Sequence, residues 1–303
     1  MVMHSVPRGV THALACGVMF GATVAVADVG DIQYGGDGSW DEGRVTWAGA
    51  AKAYQLGGDL VVVFEDVTDA EKSFTLANET KMSVLCVAGG GGCGAYGCGA
   101  GAGGMLEDTG VTLAAGTYAV TVGAGGAAGE PPYGGGKNGD NSVVVCDGVK
   151  LYEAIGGGAA ANGENGFDGG SGGGAQGQFR RAGKGVEGQG FAGATSDTVR
   201  GGGGGAGGPG ETGDLLGKGG PGRESTITGE SVYYAGGGSG RNCSESAIGG
   251  GGAGNSNGSG SDGVDGLGGG GGGGVMGYRN GRGGNGVVIV RITRPNGFAV
   301  IVR

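Results

Sequence analysis

The sequence predicts a mainly β fold in which strands bracket a long glycine-rich body, with very little α-helix. Three observations carry that expectation. Short apolar runs recur at both ends of the chain, at residues 60–64, 83–88, 117–122 and 287–293. Glycine supplies 88 of the 303 residues, and 76 of those glycines fall within residues 89–286. No stretch sustains a helical period with caps at its ends.

The strands follow in order. Leu-Val-Val-Val-Phe at 60–64 is a continuous apolar run, and Ser73–Leu76 alternates. Ser83–Ala88 is apolar after its first residue and stops at the four glycines 89–92, while residues 117–122 alternate with period two. Ser142–Cys146 and Val149–Ala154 flank Asp147-Gly148, a two-residue hairpin turn. Residues 287–293 form a further strand, and 298–302 a candidate last one.

The glycine body admits two readings. Collagen is excluded, because the chain has only six prolines and no strict Gly-X-Y period. By composition, residues 156–286 lack the apolar runs of an ordinary core, which suits disorder. The other reading is close backbone packing. Ordering a glycine costs ~0.5–1 kcal/mol more than ordering an alanine, so only a dense lattice of backbone hydrogen bonds could offset so many. An extended helix of three residues per turn points its N–H and C=O groups sideways. Such helices can bond laterally where glycine faces the neighbour. Glycine recurs at every third position from Gly201 to Gly222, broken at Leu216, and from Gly251 to Gly272, broken at Asn257. On this reading Gly204 and Gly207 lie in the contact frame and Ala206 does not.

Four regions are expected: a secretory signal at 1–27, a leader at 28–58, a glycine-rich domain at 59–294 and a C-terminal strand or tail at 295–303. The signal rests on Arg8, the apolar run of 14–27 and the Ala25-Val26-Ala27 cleavage sequence. No later segment is apolar enough to span a membrane. Loss of Arg8 moves the formal charge from −9 to −10, which disfavours nucleic acid as a partner. Both histidines, His4 and His12, leave with the signal, and with them any Ser-His-Asp or Cys-His catalytic pair. No catalysis, cofactor or metal is therefore expected. The Gly258–Asp265 stretch reads as one calcium-repeat turn, but a single copy has no neighbour to stack on. Five cysteines remain, of which Cys86 reads as a small buried hydrophobe and Cys93 with Cys98 as the candidate disulfide.

The binding candidates are Phe179, Arg180, Arg181 and Lys184, an aromatic beside three cations in an acidic chain. Phe167, Phe179 and Phe191 recur at intervals of twelve, which aligns them on a three-fold helix. The competing reading has these side chains cap the bundle or pair with nearby acids.

Several anchors then form an ordered series. They are the apolar run ending at Gly89–92, Gly101-Ala-Gly-Gly-Met105, the 113–126 stretch Leu-Ala-Ala-Gly-Thr-Tyr-Ala-Val-Thr-Val-Gly-Ala-Gly-Gly, Ala154-Ile-Gly-Gly-Gly158, and the closing Gly284-Asn-Gly-Val-Val-Ile-Val-Arg291. The series spans residues ~59–294 and resembles the bacterial and phage glycine-rich domain family. That resemblance implies a β-scaffold bracketing polyglycine-II-type helices, as in phage tail-tip adhesins and the glycine-rich region of some receptor kinases. Phage members bind host surfaces through loops between glycine runs; this chain departs from them in its export signal. The expected function is a non-enzymatic, exported structural or adhesive protein, secreted or held at the cell envelope, its partner a cell-surface glycan or protein. The alternatives are a disordered glycine-rich extracellular matrix protein and a secreted carbohydrate-binding module.

Overall fold

Fourteen strands organise the computed structural model, which describes residues 33–294 apart from 42–43, 69, 161–164, 178–179, 197–199 and 213–216. The expected signal at 1–27 and the tail at 295–303 lie outside the described residues. The fold is mainly β, with no helix among the described residues.

Nine strands come before or between the first glycine segments: β1 (Gln33–Trp40), β2 (Val45–Leu56), β3 (Asp59–Phe64), β4 (Ser73–Leu76), β5 (Thr80–Val87), β6 (Met105–Leu113), β7 (Gly116–Thr121), β8 (Ser142–Cys146) and β9 (Val149–Ala154). Four short ones lie inside the body: β10 (Ala175–Gln176), β11 (Thr195–Ser196), β12 (Arg223–Ser225) and β13 (Val232–Tyr234). The last is β14 (Val287–Ile292). Asp147 and Gly148 join β8 to β9 with φ of 49° and 76°, the left-handed pair that a two-residue hairpin of this kind requires.

The main sheet runs β6-β5-β14-β3-β2-β4-β7-β8-β9, with β1 paired to β2. The long β2 is the corner. Lys52 and Ala53 pair with both β1 and β3, whereas Val45, Thr46 and Trp47 pair with both β1 and β4. One edge of β2 is therefore covered by β1, and the other is shared between β3 and β4. Two half-sheets leave that edge and face each other. Their outer strands meet again, where Gly104 N donates to Ile155 O at 2.8 Å and Tyr152 Oη to Asp108 Oδ2 at 3.1 Å. The sheet is nearly closed. Residues 33–56, set apart from the sequence as a leader, supply its β1 and β2.

Alternation sorts the core into two. Val62, Phe64, Val84, Cys86, Val288 and Val290 face inward against Phe74, Tyr118, Val120, Val144 and Tyr152. Phe74 and Tyr118, paired across β4 and β7, stack with centroids 4.7 Å apart. Val61, Val63, Leu85, Val87, Val287 and Ile289 point outward, but they too are buried, against Ala206, Ile227, Tyr234 and Ala235 of the glycine-rich body. Burial on both faces explains why β3 and β14 are unbroken apolar runs. The β12–β13 hairpin is tied down by Tyr54 Oη to Thr228 O (3.1 Å) and Ser225 Oγ to Glu107 Oε1 (2.7 Å).

In the body the backbone hydrogen bonds advance by three residues. Within 99–104, Gly99 and Ala102 donate to Gly201 and Gly204, Ala100 and Gly103 to Gly271 and Gly268, and Gly101 and Gly104 to Gly158 and Ile155. One six-residue segment thus serves three neighbours. The expected one-in-three contact frame is too narrow. A Cβ on Gly204 would sit 2.1 Å from Phe191 O, but one on Gly203 would sit 1.9 Å from Ala100 O, and Ala206 is itself buried. Contact on all sides, not on one row, makes glycine necessary at consecutive positions.

Candidate functional site

The candidate loop from the sequence lines an open cleft of about 500 Å³ with Asn165, Gly166, Phe167, Asp168, Arg180 and Arg181. Phe179 lies outside the described residues. Arg181 faces Asp168 in a two-pronged pair, at 2.7 Å to Oδ1 and 3.4 Å to Oδ2, and Asp168 Oδ1 also accepts the Lys184 backbone N–H at 2.7 Å. The Arg181 guanidinium, then the Lys184 amide, hold the Asp168 carboxyl below its ordinary pKa. Arg180 and the Lys184 side chain are exposed. Phe167 and Phe191 are exposed as well.

The Asp168 arrangement recurs. Asp262 binds Arg279 through both oxygens and accepts the Arg282 backbone N–H; Asp265 does the same with Arg282 and Asn285. In each case a carboxylate grips an arginine and accepts the amide three residues further on; Asp262 also lies 3.8 Å from Arg282 Nε. The backbone beside it keeps the same step, with Gly260, Gly263 and Gly266 donating to Arg279, Arg282 and Asn285. These pairs pin neighbouring segments, so Arg181 is a structural strut and Asp262 and Asp265 are committed to arginines.

A second surface, not found from the sequence, lies at the end of the body away from the sheet. The chain leaves β5 through 88–95, turns at 95–97 and returns to β6. It leaves β7, turns at Pro131-Pro132-Tyr133 and returns to β8, and the last glycine segments turn at 275–278 before β14. These turns are adjacent: Ala95 N donates to Gly134 O, and a Cβ on Gly97 would lie 2.4 Å from Gly274 O. The tip therefore gathers Tyr96, Tyr133 and Tyr278, exposed to 38%, 64% and 53%, together with exposed Met276. Each tyrosine sits in a turn between glycine runs, and that placement was the signal available in the sequence.

Beneath the tip lie the cysteines. Cys93 and Cys98 are fully buried free thiols, with Cys93 Sγ 2.6 Å from Cys98 O and 3.5 Å from Asn280 Oδ1. Burial pushes the Cys98 thiol up to about 12 and that of Cys93 well above its ordinary value. Asn280 Oδ1 also accepts Gly274 N, and its buried Nδ2 lacks a partner. No group of three or more metal-ligating side chains occurs among the described residues, and no described helix is long and apolar enough to cross a membrane.

A family model described as glycine-rich domain matches residues 68–293, most of the chain. No curated protein matches the chain.

Proposed function

The chain belongs to the glycine-rich domain family, and on that premise we propose that it is an exported, non-catalytic structural or adhesive protein. Its glycine-rich body is read as a bundle of polyglycine-II-type helices, and its tyrosine-bearing tip as the surface that meets a cell-surface glycan or protein. The bundle reading draws support from the three-residue step of the hydrogen bonds, which matches a helix of three residues per turn. It is further supported by the contacts of 99–104 in three directions.

One observation carries the adhesive reading. Three separate turns bring exposed tyrosines to one end of the glycine-rich body. Tyrosine offers a large amphipathic contact area at low conformational cost, which suits recognition. Export is supported by the signal-like residues 1–27. The groups around the tip are hydrogen-bonding and aromatic, and no histidine lies in the described chain to serve as a base.

The test compares retention of wild type and the Tyr96→Ser, Tyr133→Ser, Tyr278→Ser triple variant on immobilised cell envelopes. The expected outcome is retention of wild type and its loss in the variant, with unchanged circular dichroism. Equal retention of the two would overturn the tip as the binding end. Rapid digestion throughout 156–286 would instead favour a disordered matrix protein.

A further inference from the structure

Two arginines converge on the tip, and no carboxylate among the described residues is paired with either. Arg200 Nε donates to Tyr96 O at 2.7 Å, and Arg241 N donates to Gly97 O at 2.7 Å. A Cβ on Gly97 would lie 3.1 Å from Arg241 Cβ and Cδ, and one on Gly240 would lie 2.9 Å from Arg200 Cβ. The stem of Arg241 thus rests on the tyrosine turn, and that of Arg200 on the residue before Arg241. Both side chains are half-buried. Several other arginines face acids: Arg181 with Asp168, Arg279 with Asp262, Arg282 with Asp265 and Arg291 with Asp59. Half-buried Arg223 instead spends its guanidinium on the Gly188 and Met105 carbonyls. Among the described residues no ion pair joins Arg200 or Arg241 to a carboxylate.

Keeping two guanidinium groups together and partly out of water is unfavourable. Burial first, then the charge of Arg241, lowers the pKa of Arg200. The Nε bond to Tyr96 would hold the turn by itself and does not call for a second cation. A bound oxyanion offsets both desolvation and repulsion, and the planar guanidinium suits it through paired N–H donors.

We propose that Arg200 and Arg241 form an oxyanion site at the tip that takes the carboxylate or sulfate groups of an acidic polysaccharide. The proposal rests on the tip being the binding end. Polysaccharide is favoured because Tyr96, whose carbonyl holds Arg200, is exposed at the tip with Tyr133 and Tyr278 of the adjoining turns, and an exposed ring suits the face of a sugar. The net charge of −9 does not forbid this, since charges more than about 8 Å away are screened at physiological salt.

Affinity electrophoresis of the full chain in about 0.15 M salt tests it, with polygalacturonate, dextran sulfate and neutral dextran as probes. Wild type is expected to be retarded by polygalacturonate, by dextran sulfate or by both, which identifies the anion, and not by neutral dextran. Arg200→Gln with Arg241→Gln should weaken that binding about tenfold or more, the loss of one to two charge-assisted hydrogen bonds. Arg279→Gln removes one charge from an acid-paired site and should stay within about twofold. The proposal is overturned if neither polyanion retards wild type, or if the double variant binds as tightly as wild type or no worse than Arg279→Gln. Retention on cell envelopes that depends on the tyrosines but not on these arginines would leave the adhesive reading standing and remove only the oxyanion site.

Discussion

Tyr152 on β9 donates its hydroxyl to Asp108 on β6 across 3.1 Å, and this bond spans the one place where the main sheet does not pair strand to strand. Tyr152→Phe removes the donor while keeping the ring in the core. A loss of ~1 kcal/mol in urea unfolding is expected, with faster amide exchange along β9. Unchanged stability and exchange would show that the seam is held by Gly104 and Ile155 instead.

Alkaline pH should loosen the core through its phenols. Burial raises Tyr234 to about 12 and also raises Tyr152, where Asp108 adds to the shift. These groups favour the fold while neutral, so their contribution is complete below the ordinary tyrosine value of 10.0 and fades as pH rises through about 12. Thermal midpoints measured from pH 8 upward should fall over that window, and Tyr234→Phe should reduce the fall. A flat profile contradicts the assignment.

The glycine body makes a sharper demand. Gly203→Ala puts a methyl group 1.9 Å from the Ala100 carbonyl oxygen, against the backbone of residues 100–101, with no side chain free to yield. Gly258→Ala meets only the Asn255 side chain, at 3.3 Å. The first should cost ~3 kcal/mol or prevent folding, the second no more than ~0.5 kcal/mol. Chemical denaturation of the two variants side by side decides, and equal midpoints would refute close packing at residue 203.

Acid should act through the aspartate struts. Arg181 holds Asp168 below its ordinary pKa, and Arg282 does so for Asp265. Such carboxylates stabilise the fold when ionised, fully above their unfolded value of 3.8, and the contribution is lost as pH falls below it. Asp168→Asn and Asp265→Asn should each shallow the acid limb of a melting profile taken between about pH 2 and 6. An acid limb identical to wild type would assign it to other groups.

Thiol chemistry gives an independent reading of the interior. Cys86 and Cys98 are pushed up to about 12 by burial, and Cys93 and Cys243 are also buried. Cys146 is only partly covered. Alkylation of the native protein at neutral pH, followed by peptide mass analysis, should label Cys146 first. Early labelling of Cys93 or Cys98 would mean that the tip opens, and a disulfide-linked 93–98 peptide would restore the pairing expected from their spacing.

Strands were legible wherever side chains announced their period. The hairpin at Asp147-Gly148 and the runs that became β3, β5, β7 and β14 lie where the sequence predicts them, within a few residues. β2 was not legible, because Ala48, Gly49, Ala50, Ala51 and Ala53 blur the alternation that its burial reveals. β6 was missed for the opposite reason: its centre, Glu107-Asp108-Thr109, is polar at the edge of the sheet. The triplet count found the right step but only one row of contacts, since composition cannot say how many neighbours a segment has. The loop at 178–184 attracted attention by its charges, whereas the tyrosines of the tip lie about forty residues or more apart in sequence and meet only through the turns.

β14 is the final described strand, yet it lies in the interior of the sheet, between β3 and β5. Some two hundred residues separate it from β5, and the whole glycine body is looped out between them. During synthesis, β3 and β5 therefore wait with open edges until Val287–Ile292 arrives, a costly closure at such sequence separation. Assembly is gated by β14. A product cut short before residue 287 lacks the keystone of the sheet and leaves two apolar edges exposed to aggregation.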